Sequence, residues 1–94
     1  MKAILTLETK SEDGTRNKRR LLFDTDKSQK VIDVPNDFGN TIATIWLSPG
    51  GILFKENKAK KDKLEIMDQE AAKRYIGEHD PEIYIKYFGE VEEA

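Results

Sequence analysis

The chain has 94 residues, of which 37% are apolar and 36% charged, with a formal net charge of −2 and no cysteine. That length suits one domain, residues 1–94, and the missing thiols exclude disulfides, thiol catalysis and Cys-ligated metal centres. Apolar runs such as Ile4–Leu5 and Leu21–Phe23 are far shorter than the ~20 residues a membrane helix needs, and Met1-Lys2 leads straight into a strand pattern with no secretory h-region, so a cytoplasmic protein without membrane contact is expected.

Lys2 to Thr9 alternates, placing Ala3, Leu5 and Leu7 on one side of a strand and Lys2, Thr6 and Glu8 on the other. Asp13-Gly14 is a turn dipeptide that favours a two-residue type I′ hairpin, which predicts a return strand from about Lys18 to Asp24 with Glu8 opposite Arg19 and Leu5 opposite Leu22. After a polar turn at 24–28, Gln29 to Val34 forms a third strand closed by Pro35, which cannot donate to a ladder. Thr41 to Ser48 alternates again, with Ala43, Ile45 and Leu47 on one face and Ile42, Thr44 and Trp46 on the other. Pro49-Gly50-Gly51 turns the chain into a strand over Ile52 to Glu56. A lysine-rich connector, 57–63, then precedes a short strand over Leu64 to Met67.

The period changes in the C-terminal third. Asp68 caps a helix whose Ala71, Ala72, Tyr75 and Ile76 form one apolar face, and Gly77 is expected to end it. Asp80-Pro81 reads as an N-cap followed by proline in the first turn, opening a second helix whose stripe is Ile83, Tyr84, Tyr87, Phe88 and Val91. Gly89 is expected to stop that helix and leave Glu90 to Ala94 as an acidic tail. The fold class is therefore α+β: an antiparallel meander sheet of five to six strands, then two short C-terminal helices packed on it. Residues 1–67 are mainly β, with a basic hairpin and connector; residues 68–94 are helical and acidic.

Catalytic groups are sparse. His79 is the sole histidine, and its position between the helices suits an imidazole interacting with a helix end. The carboxylates of Asp24, Asp26, Asp33 and Asp37 fail the EF-hand pattern, because Gln29 and Pro35 stand where glycine and glutamate belong. No phosphate-binding glycine motif surrounds Pro49-Gly50-Gly51. No catalytic residue, metal or cofactor is assigned.

Charge is more informative, since residues 1–63 hold 13 Lys/Arg against 9 Asp/Glu while residues 64–94 hold 3 against 9. An acidic face of Glu78, Asp80, Glu82, Glu90, Glu92 and Glu93 beside Tyr75 could engage a basic protein partner by steering and complementary charge. The opposite pole carries Arg16, Lys18, Arg19 and Arg20 on the hairpin and Lys55, Lys58, Lys60, Lys61 and Lys63 on the connector. Converging in space, these clusters would bind nucleic acid with salt-sensitive affinity; dispersed, they are solvated lysines and arginines that guard sheet edges. Tyr84 and Tyr87 fit a role sealing the helices onto the sheet better than a role as contact anchors.

The leading expectation is a non-enzymatic binding or regulatory module acting by protein–protein contact, with nucleic-acid binding through residues 16–20 and 55–63 as the alternative. In size and charged exterior the chain resembles, in general character only, the small accessory or inhibitor proteins of bacteria and their mobile elements. A homodimer through an open sheet edge is a further expectation, with Thr41 to Ser48 and its Trp46 as the pairing strand.

Overall fold

The computed structural model describes residues 1–59 and 63–89. Six antiparallel strands precede two helices: β1 (Lys2–Lys10), β2 (Arg16–Asp24), β3 (Gln29–Pro35), β4 (Thr41–Leu47), β5 (Leu53–Asn57), β6 (Leu64–Ile66), α1 (Gln69–His79) and α2 (Pro81–Phe88), with a 3-10 turn over Thr25–Lys27. The strands do not form the single meander expected from their order. β1 and β2 make a two-stranded sheet of their own, and β3-β4-β5-β6 make a four-stranded sheet.

The separation follows from the alternation in β4, both of whose faces are covered. Ile45 and Leu47 join Val31, Leu53, Ala72 and Ile76 in a core beneath the helices. Trp46 turns the other way, into a second core in which Phe23, Phe54 and Leu64 are buried and Ala3, Leu5 and Leu21 pack against them. The β1–β2 hairpin thus covers the sheet face opposite the helices, with the Phe23 and Phe54 ring centroids 5.0 Å apart and tilted by 59°. Fully burying each such ring contributes roughly 1.5–3 kcal/mol.

β4 is flanked by β3 and β5, so the expectation that Thr41 to Ser48 offers an open edge for dimerisation is corrected. Its Trp46 is half-buried and donates its indole N–H to Glu56 Oε1 at 3.3 Å.

Three hairpin turns share one geometry. At Ser11–Thr15, Asn36–Asn40 and Ser48–Ile52 the first residue's N–H bonds the fifth residue's carbonyl, and the fourth residue, a glycine, returns its N–H to the first carbonyl. Gly14, Gly39 and Gly51 have φ of 86°, 84° and 83°, a left-handed conformation that glycine adopts without steric cost. This is the type I turn followed by a glycine bulge, the usual three-residue hairpin. It adds one residue to the expected Asp13-Gly14 turn and shifts the pairing by one, so that Leu5 faces Leu21, Ile4 faces Leu22 and Glu8 faces Lys18.

In the helices, Asp68 accepts from the Ala71 N–H at 3.0 Å. Gln69 lays its side-chain amide along β5, accepting from Leu53 N–H at 2.7 Å and donating to the Leu53 carbonyl at 2.8 Å. Gly77 does not end α1, which continues through it to His79. A Cβ on Gly77 would lie 3.4 Å from the Tyr84 ring, in ordinary contact, so this position faces α2 and has room for a methyl group but not for a large side chain. Asp80 both closes α1 and caps α2, where its carboxylate accepts from Ile83 N–H at 3.2 Å. Gly89 stops α2 as expected, with φ of 91°.

Candidate functional site

β1 and β2 outrun the core that anchors them. Ala3, Leu5, Leu7 and Leu21 are half-buried, whereas every residue from Glu8 to Arg20 is exposed, leaving the distal hairpin as a two-stranded ribbon with both faces in solvent. The register puts Lys2, Ile4, Thr6, Glu8 and Lys10 on its outer face together with Arg16, Lys18, Arg20 and Leu22. Alternate residues along one strand face lie about 6.6–6.8 Å apart. Arg16, Lys18 and Arg20 therefore form an evenly spaced cationic row, with Lys10 opposite Arg16. Glu8 is the acid on this exposed stretch of the face, and it lies 3.7 Å from Arg16. Arg19 projects from the other face, opposite Leu7.

The ribbon tip is acidic. The Asp13 carboxylate accepts from the Ser11 hydroxyl and, at 2.9 Å, from the Thr15 N–H. Those bonds, led by the one from Ser11, lower its pKa from 3.8 to about 2, so the cationic surface is the shaft of the ribbon.

The second basic cluster is largely occupied by local partners. Lys55 lies 3.9 Å from Glu65 and Lys58 lies 3.2 Å from Glu56. Lys63 donates to the Lys58 carbonyl at 3.2 Å. Lys60 and Lys61 lie outside the described residues. Lys2, which belongs to neither cluster, lines with Lys63 a groove between β1 and β6.

Of the acidic face, Glu78, Asp80 and Glu82 stand at the α1–α2 corner, with Asp80 committed to its cap. Glu90, Glu92 and Glu93 lie outside the described residues. Tyr75 is half-buried and stacks on His79 with ring centroids 3.9 Å apart. His79 Nδ1 lies 2.9 Å from the Tyr75 carbonyl, at the end of α1, in keeping with its expected place beside a helix end. Tyr87 seals α2 against β3, its hydroxyl donating to the Lys30 carbonyl at 3.5 Å. Lys73 and Lys86 lie over the Phe88 and Tyr87 rings, and these cations interrupt the helical acidity.

Sequence reasoning passed over two features. Ile4 and Leu22, at 61% and 59% exposure, form an apolar cross-strand pair on the outer face of the hairpin; only the correct register brings them together. Phe38 is 88% exposed at the β3–β4 turn, where the Asn36 side chain accepts from its N–H. A side chain between a turn-forming Asn and a Gly is the available signal for that exposure. Among the described residues there is no group of three or more His, Cys, Asp or Glu placed to hold a metal ion, and no helix long and apolar enough to cross a membrane. None of the protein families, curated proteins or solved structures compared with the chain matches it.

Proposed function

We propose that this protein is a non-enzymatic binding module and that the shaft of the basic ribbon engages nucleic acid. The observation that carries this reading is the row Arg16, Lys18 and Arg20, with Lys10 beside it, on a ribbon exposed on both faces. Alternate strand residues are spaced at about two nucleotide rises of 3.4 Å, and a duplex major groove admits a two-stranded ribbon. Three or four phosphate contacts give an affinity that falls with salt at a log–log slope of about −3, or on the order of 50-fold between 50 and 200 mM salt.

The test is gel-shift titration of duplex DNA, duplex RNA and single strands at several salt concentrations. Retarded complexes with that slope are expected, and the triple change Arg16→Glu, Lys18→Glu, Arg20→Glu should remove them while circular dichroism stays unchanged. Binding by the triple variant equal to wild type, or no complex at low salt, overturns the reading.

Protein–protein contact through the acidic helices is the second reading. It is supported by a groove of about 490 Å³ between α1 and α2, lined by Gly77, Tyr84 and Ile85 together with Glu70, Glu78, Lys73 and Arg74, so that its charges are mixed and the acids available to a basic partner are those at the helix corner. Under this reading a basic partner is captured unchanged by the triple variant.

A further inference from the structure

The four outer strand edges of the two sheets are unlike one another. β2 carries Arg16, Lys18, Arg19 and Arg20, and β3 is broken by two register irregularities and ends in Pro35; such devices protect an edge from pairing with another chain. β1 and β6 have regular registers without bulge or proline. These two edges adjoin without forming a ladder, and a groove of about 800 Å³ lies between them, lined by residues 1–6 and 63–66.

The hydrogen-bond phase shows which backbone groups face that groove. Thr25 N–H bonds the Met1 carbonyl at one end of the hairpin and Ser11 N–H bonds the Thr15 carbonyl at the other, so the odd residues of β1 bond β2 and the even ones turn their N–H and C=O outward. On β6, Asn57 N–H bonds the Lys63 carbonyl and Met67 N–H bonds the Leu53 carbonyl, which leaves Leu64 and Ile66 outward by the same rule. Ile4 and Thr6 on one side and Leu64 and Ile66 on the other thus present donors and acceptors that take no ladder partner among the described residues.

We propose that this groove receives an extended polypeptide segment of alternating apolar and acidic residues, which adds a strand to β1, with β6 as the opposite wall of the groove. Backbone edges call for an extended chain with its own regularly spaced N–H and C=O groups. The core side of the groove, with Ala3, Leu5, Leu64 and Ile66, calls for apolar residues at every second position. Lys2, and Lys63, which keeps its charge while donating to the neutral Lys58 carbonyl, call for acids between them. Glu65, the one acid among the described residues of the lining, already accepts from Asn57 at 3.1 Å and lies beside Lys55. This site is separate from the ribbon shaft and does not rest on nucleic-acid binding.

The test is fluorescence anisotropy with a labelled, end-blocked hexapeptide alternating Val and Glu, against the same peptide with Lys for Glu. Saturable binding of the Val-Glu peptide, weakened at least tenfold by the Lys exchange, is expected. Ile4→Pro removes an outward N–H while leaving the β1–β2 ladder intact, and should weaken binding at least tenfold. If that variant unfolds by circular dichroism, peptides N-methylated at alternate amides report instead with wild-type protein: one of the two methylation phases should abolish binding and the other spare it. No binding at millimolar peptide, equal binding of the Lys peptide, equal binding by folded Ile4→Pro, or indifference to methylation phase would overturn the proposal.

Discussion

Thr44 is a hydroxyl at 2% exposure in the middle of β4, and it survives there because it donates to Asp33 Oδ1 at 2.8 Å across the β3–β4 pair. Lys30 completes the arrangement 3.1 Å from Asp33 Oδ2. The Asp33 carboxyl titrates below its ordinary value of 3.8, first because of the Thr44 hydroxyl and then because of Lys30. Thr44→Val should cost about 1 kcal/mol, the usual net worth of one such bond, read as a lower urea midpoint at pH 7. The sign of the pH effect follows from the lowered folded pKa. The contribution is present above the ordinary carboxylate value and is lost as pH falls through the folded one, so the gap between wild type and variant should narrow as the solution is acidified. A gap that widens on acidification would contradict the assignment, and direct NMR titration of Asp33 should show its midpoint rising in the variant.

Elements were legible where their signals are local. Strand spans, the Asp68 and Asp80 caps, the proline opening α2 and the glycine ending it follow from alternation and from side chains that bond within three residues. The hairpin register was not legible, because Asp13-Gly14 is compatible with both a two-residue I′ turn and a three-residue turn with a glycine bulge; the choice moves every cross-strand pair. Gly77 was misread for a related reason: in sequence it looks like a helix terminator, and the Tyr84 ring packed against it belongs to another helix. Gly77→Ala places a methyl at ordinary contact with that ring and removes the helix-interior penalty of glycine, so it should stabilise by up to about 1 kcal/mol. Gly77→Leu should instead push α2 away and destabilise by roughly 1–3 kcal/mol. Denaturant midpoints of the two variants on opposite sides of wild type are the expected result. The acidic face was legible only as composition; among the described residues, Asp80 is committed to a cap and Lys73 and Lys86 lie over aromatic rings of α2.

Across the molecule, stability is unevenly distributed. The ribbon from Glu8 to Arg20 has little beneath it beyond its own ladder, whereas β4 and β5 carry the side chains of both cores. Amide hydrogen exchange should therefore be fastest in the ribbon and slowest at Ile45, Leu53 and Phe54, where opening requires loss of both packing layers. Equal protection of ribbon and central strands would show that the shaft is held by contacts additional to these. Because successive residues of β4 and β5 point into opposite compartments, the same two strands serve as a party wall. Damage on one side, such as truncation of Phe54, shifts the backbone to which Leu53 and Ile45 belong, so the helical cover and the hairpin should melt together, in one transition rather than two.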